Sequence, residues 1–324
     1  MRAKAKPRTG WPLQWLQAHG QRLALCPELG GSVVAWQWLR ADGPLNLWRT
    51  PLPDTDGSGA PTLPAHTRVD DMACYPLLPW SNRIAEGGFA HGGRFHRLPS
   101  LVPGEPCAIH GDGCRQPWTL ERHSLSQASL RLYSAGHAGH PHHYLAWQGF
   151  RLQPDGLLQT LRLQNLGASA LPFGLGLHPW WKRTPQCQVQ APVQAVWLSG
   201  EDRLPTRRTR RFPPGWNLNT GVWPSAVVVD NAFEDWSGRA RLVWPEHDLG
   251  LQLQATLVRA GQTQPLHLVL YAPADEDLFC LEPVSHPINA AHLPGQPGWT
   301  ALVPGQTLSL VLRWRLGRAS DAQL

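Results

Sequence analysis

Thr307-Leu308-Ser309-Leu310-Val311-Leu312-Arg313-Trp314-Arg315-Leu316 alternates polar and apolar side chains along most of its length. A period of two belongs to an extended strand with one buried face, whereas an apolar helix face recurs at a longer interval. The same rhythm runs through Gly31 to Leu39, Ser129 to Tyr133, Leu157 to Leu166 and Ala226 to Asp230. It returns in Ala240 to Trp244, Leu249 to Leu257 and Leu266 to Tyr271. Turn-forming Pro154-Asp155-Gly156, Ser237-Gly238 and Pro304-Gly305 punctuate the pattern. With 31 glycines and 32 prolines in 324 residues, long helices have little room. These features predict an all-β chain of stacked antiparallel sheets with few short helices. No low-complexity linker divides it, so residues 1–324 read as one domain. Pro51 to Pro64, rich in Pro, Gly, Ser and Asp, is the best candidate for a mobile loop.

Hydrophobic residues make up 42%, enough for a sizeable core, while charged residues are sparse at 16%. The 17 tryptophans suit core packing, and an indole face also stacks on the C–H face of a sugar ring. Net charge is +6, and its densest part is Arg207, Arg208, Arg210 and Arg211, close after Arg203. Such a cluster either grips phosphate or forms a solvated loop. Without an aromatic-interleaved basic stripe or a nucleic-acid motif, nucleic acid is not the expected partner. The six cysteines form no C-x-x-C pair and read as buried thiols. The basic N-terminus lacks the apolar segment of a signal peptide, and no run is long enough to span a membrane. A reducing cytoplasm fits best.

Five segments break the strand rhythm with polar groups in rigid surroundings. In Leu278 to His286, LFCLEPVSH, an apolar run reads as a buried strand that ends at Glu282. A carboxylate in such a partly dried place gains proton affinity and suits a general base, unless it merely ends the strand in solvent. In Tyr75 to Phe89, YPLLPWSNRIAEGGF, Asn82 and Arg83 offer donors and acceptors matched to vicinal hydroxyls, or an arginine that ties down a loop. His110, in AIHGDGCRQPW, is a strand-end group with backbone close by, or a core histidine satisfied by a carbonyl. His178, in FGLGLHPWW, precedes a proline that favours extended backbone and sits beside tryptophans able to form a stacking wall. A histidine titrating near neutrality suits proton donation to a leaving oxygen. Asp230, in VVVDNAFEDW, ends a β-branched run and binds a hydroxyl or caps a turn. His137, His140, His142 and His143 lack a helical frame or cysteine partners, so metal is not expected.

Taken in order, PLLPWSNRI, IHGDGCRQPW, GLGLHPWW, DNAF with the Trp236 to Gly238 turn, and FCLEPVSH resemble the aldose 1-epimerase (galactose mutarotase-like) family. The resemblance implies a large antiparallel β-supersandwich that interconverts the anomers of free sugars without a cofactor. It implies Glu282 as general base and His178 as general acid. It also implies that Asn82, Arg83, His110 and Asp230 contact the sugar and that Trp180 is the aromatic neighbour of the acid. The expected partner is a small-molecule sugar such as glucose or galactose, with no nucleic acid or membrane and the chain a monomer or weak homodimer. A hexose-6-phosphate epimerase, motivated by the arginines, and a non-catalytic sugar-binding protein are the alternatives.

Overall fold

The computed structural model describes residues 10–52 and 62–322. Residues 53–61 of the candidate mobile loop, and the basic residues 1–9, lie outside the described residues. Within them the only helices are six three-residue 3-10 turns, and every strand pairing is antiparallel apart from an isolated bridge between Leu78 and Gly111.

Two large sheets carry the molecule. The nine-stranded sheet runs Thr119–His123, Gln127–Ala135, His143–Gln153, Gly156–Asn165, Thr307–Gly317, Leu249–Arg259, Arg239–Trp244 and Gln188–Gln190. Its ninth strand, Gln262–Gln264, pairs beside Leu249–Arg259. Its long strands bury every second residue, as their alternation predicts. The eight-stranded sheet runs Pro205–Thr209, Ala195–Ser199, Val229–Trp236, Leu266–Ala272, Leu278–Val284, Gly176–Leu177 and Pro76–Leu77. Trp180–Lys182 also pairs with Leu278–Val284. A four-stranded sheet spans Gln14–Ala18 to Gly43–Asn46.

Between the large sheets lies an apolar core in which Leu268, Leu270, Phe279 and Leu281 meet Leu161, Leu251, Leu310 and Leu312. Tryptophans lock it: Trp48 packs edge-on against Trp36, Trp181 and Trp314 at ring separations of 5.0, 5.8 and 5.6 Å. The opposite face of the eight-stranded sheet is covered as well. There Ala232, Val269, Cys280 and Val284 pack with Tyr75, Leu77, Val34 and Ile288. All six cysteines are buried and unpaired with one another.

Two strand readings need correction. The Val229–Trp236 strand starts three residues later than predicted: Pro224–Ala226 is a 3-10 turn and Val228 is 62% exposed. Asp230 is therefore the second residue of a strand and not the end of a buried run. Glu282 is likewise inside its strand, which continues through Pro283 and Val284. A proline in a strand removes a ladder donor, which is tolerated here beside an interrupted neighbour.

Candidate active site

That interruption builds the site. Gly176 pairs with Val284 and Trp180 with Cys280 on a single register, although His178-Pro179 between them belongs to neither short strand. His178 thus lies opposite Glu282 on the same sheet face, and its Nε2 is 3.4 Å from Glu282 Oε1. Alternation along the strand then sends Trp180 to this face and Trp181 to the tryptophan core.

The register also orders the surroundings. Ala232, Val269 and Glu282 form one cross-strand row that ends at His178, while Asp230, Tyr271, Cys280 and Trp180 form the next. Trp180 meets Tyr271 edge-on at 5.8 Å and carries the Arg49 guanidinium at 4.0 Å from its ring centre. Arg49 is fixed by Nε donating to the Met72 carbonyl at 2.8 Å and by a further bond to the Asp70 carbonyl.

Loops that cover this face supply the remaining groups. Tyr75 stacks on the His178 ring at 4.6 Å, and the Tyr75 carbonyl accepts the His178 N–H at 3.0 Å. His110 stands nearly perpendicular to His178 at 5.2 Å. The His110 Nδ1 accepts the Asn82 N–H at 3.1 Å, and the His110 N–H donates to the Asn82 carbonyl. The neutral ring must therefore carry its proton on Nε2, leaving that edge as a donor. These two hydrogen bonds join residues that are both left-handed, His110 at φ +63 and Asn82 at φ +53. Gly111 follows with φ +66, where a Cβ would meet the Leu78 carbonyl oxygen at 2.1 Å. Arg83 places Nη1 3.7 Å from Asp230 Oδ2 and Nε 3.4 Å from Glu105 Oε1. Asn82 Oδ1 accepts the Arg83 N–H at 2.9 Å.

Burial governs the charges. It pushes Glu282 well above the usual carboxylate range, with the nearby Asp230 charge adding to the rise and Arg83 opposing it. His178 falls to about 3 through burial and the Arg49 charge, and His110 falls well below its ordinary value through burial and His178. The sequence reading of a His178 titrating near neutrality does not describe this free site. Burial pushes both the carboxyl and the imidazole toward their uncharged forms. Asp230, part-buried, is raised by desolvation and lowered by Arg83 and Arg203.

All seven residues read from the sequence, Glu282, His178, Asn82, Arg83, His110, Asp230 and Trp180, fall in this one region. Tyr75, Arg49, Tyr271 and Glu105 were missed. Tyr75 opened a quoted motif, but Tyr271 is found only from the register with Asp230, and nothing local marks Arg49 or Glu105. The arginine cluster lies elsewhere: Arg208 is the edge member of the row through Trp197 and Ala232, four strands from Glu282, or about 19 Å at ordinary strand spacing. Arg208 pairs with Glu234. In the histidine segment, His140 and His142 are core histidines whose Nε2 atoms meet the Pro99 and Pro172 carbonyls at 3.0 and 2.9 Å.

Comparison with known proteins bears on the family and the fold. The family model described as aldose 1-epimerase matches residues 13–315. The uncharacterised protein YphB of Escherichia coli K12 is 32% identical over 254 residues, covering 75% of this chain and 85% of its own. A crystal structure of a candidate aldose 1-epimerase from Escherichia coli K12 superposes with TM-score 0.80 at 27% identity, covering 95% of this chain and 100% of that one. A galactose mutarotase-like protein from Clostridium acetobutylicum has TM-score 0.75 at 18% identity, with coverage of 96% and 100%, and bears on the fold alone. Among the described residues, no helix is long and apolar enough to cross a membrane.

Proposed function

Because the chain belongs to the aldose 1-epimerase family, we propose that it interconverts the α and β anomers of a free aldose such as glucose or galactose. The observation that carries this reading is the 3.4 Å approach of His178 Nε2 to Glu282 Oε1 on one buried face. The anomeric hydroxyl and the ring oxygen are bonded to the same carbon, so the groups that exchange protons with them have to be neighbours.

Glu282 takes the hydroxyl proton while His178 gives one to the ring oxygen. The bond between the anomeric carbon and the ring oxygen breaks, its electron pair stays on the oxygen, and the former hydroxyl becomes the aldehyde. Rotation about the first carbon–carbon bond and reclosure on the other face invert the anomer, with the two groups exchanging roles. The pair holds one proton throughout: carboxylate and imidazolium with the closed sugar, carboxylic acid and imidazole with the open one. Burial favours the uncharged arrangement in the free protein, and Arg83 acts against it. This proton balance closes without a cofactor.

His110 donates from Nε2 to a sugar oxygen, Asn82, Arg83 and Asp230 bind hydroxyls, and Trp180 with Tyr271 offers aromatic faces for the ring. Six unpaired thiols suit a cytoplasmic place of action. The test is the decay of optical rotation of freshly dissolved α-glucose and α-galactose. Faster decay than buffer is expected, and no acceleration with any aldose would overturn the reading.

A further inference from the structure

Cys280 stands two residues before Glu282 and so shares its sheet face, directly across from Trp180. An imidazole nitrogen of His178, the Cys280 sulfur and a Glu282 oxygen all lie within 4.8 Å of one another, and all three residues are buried. Zinc bonds of about 2.0 to 2.3 Å in a tetrahedron put neighbouring donor atoms roughly 3.3 to 3.8 Å apart. The 3.4 Å separation of His178 and Glu282 already fits, and the Cys280 sulfur, within 4.8 Å of both, has to move closer by at most about 1.5 Å. Glu282 Oε2 is a second, independent sign: it is buried with no hydrogen-bond partner among the described residues. Such an acceptor in a dry site is costly unless something meets it.

From this geometry we propose that His178, Cys280 and Glu282 reversibly bind a divalent metal ion of the zinc class, and that the bound ion blocks turnover. One nitrogen, one sulfur and one oxygen select a borderline metal over magnesium or calcium, which favour all-oxygen shells. Binding releases the thiol and carboxyl protons to water, and the two anionic ligands balance the dication without any change of oxidation state. Three protein ligands leave a fourth position for water or a sugar hydroxyl. With the metal in place, the imidazole nitrogen and the carboxylate no longer exchange protons with substrate. Binding stands on the ligand geometry alone, whereas the block of turnover rests on the mutarotase reading.

Cobalt(II) added to the whole protein reports the site directly, because a thiolate ligand gives a near-ultraviolet charge-transfer band. The expected result is a band saturating at one equivalent, displaced by zinc, and absent in Cys280→Ser. In polarimetry, zinc should inhibit the wild type and a chelator should restore it. In Cys280→Ser, half-inhibition should need about ten times more zinc, each protein being compared with its own metal-free rate. A cobalt spectrum without the thiolate band, or equal zinc sensitivity in the variant, overturns the proposal and assigns the metal to exposed histidines. Should Cys280→Ser fail to fold, the wild-type cobalt spectrum still decides. A wild type inactive on every aldose would defeat the functional reading and leave the cobalt result standing.

Discussion

The nine-stranded and eight-stranded sheets are built from the same kind of strand but surrounded differently. In Gln127–Ala135 and Thr307–Gly317 buried residues alternate with wetter ones, so one face packs and the other meets water. In Leu266–Ala272 and Leu278–Val284 nearly every residue is buried, because the second face is covered by loops and the four-stranded sheet. Water on one side makes a sheet that needs only a good apolar pattern. Cover on both sides makes a place where a carboxyl and an imidazole are dried enough for proton affinities to leave their ordinary range. The difference predicts that changes in the first sheet act on stability and changes in the second act on chemistry.

The sharpest way to break that contrast is at the pair itself. Glu282→Gln and His178→Asn should each lower mutarotation by about 10²- to 10⁴-fold in polarimetry. At neutral pH Glu282→Gln should melt no lower than wild type, since the amide removes a carboxyl whose raised proton affinity in the fold opposes folding there, and His178→Asn should still fold. Loss of folding with activity per folded molecule intact would contradict the division. The converse is Trp314→Ala in the intersheet core, expected to cost about 3 to 5 kcal/mol in denaturant titration. Below its transition, its turnover should remain close to wild type.

Protons sharpen the comparison further. His267, in the covered sheet, is pushed down to about 3 by burial and by the charge of nearby His286. It stays neutral in the fold but takes up a proton in the unfolded chain below about pH 6.5. Its contribution is therefore intact above that pH and lost as pH falls toward 3, at about 1.4 kcal/mol by pH 5.5. Replacing it by Gln should flatten the stability curve in that window. Glu282 runs the other way: raised in the fold, it is protonated where the unfolded chain is ionised, so stability falls as pH rises above about 4.3. Because His178 is held at about 3, the pH–rate profile should lack an acid limb centred near 6.5. The smallest effect is expected at the sheet edge, where Arg207→Ala with Arg211→Ala should change KM by less than about twofold for plain and phosphorylated hexoses alike. A selective loss on the phosphorylated sugar would revive the epimerase of sugar phosphates.

What could be read from the chain follows the same division. A wet face imposes a period of two, and in the nine-stranded sheet Leu157 to Leu166 and Thr307 to Leu316 are located to within a residue, although His143–Gln153, with the same alternation, is not read as a strand. In the covered sheet that period disappears. Val227 and Val228 then looked like the start of a buried strand, and Glu282 looked like the end of one. The seven candidate residues are read from motif order, which does not depend on burial. Tyr271 and Arg49 escaped because one is defined by cross-strand register and the other by a ring it lies against. The neutral state of His178 was also hidden, since desolvation belongs to the assembled fold.

The single register through Gly176–Val284 and Trp180–Cys280 has a practical consequence. Glu282 and His178 are aligned by backbone ladder geometry, while Asn82, Arg83 and His110 arrive on two loop-borne segments that pair with each other through Arg83–Ile84 and Ala108–Ile109. On the proposed function, proton exchange and sugar binding therefore fall to different parts of the fold. Grafting those loops from a relative would transplant selectivity and leave the proton relay untouched, whereas inserting one residue between Gly176 and Trp180 would turn the imidazole away and silence the relay for every sugar.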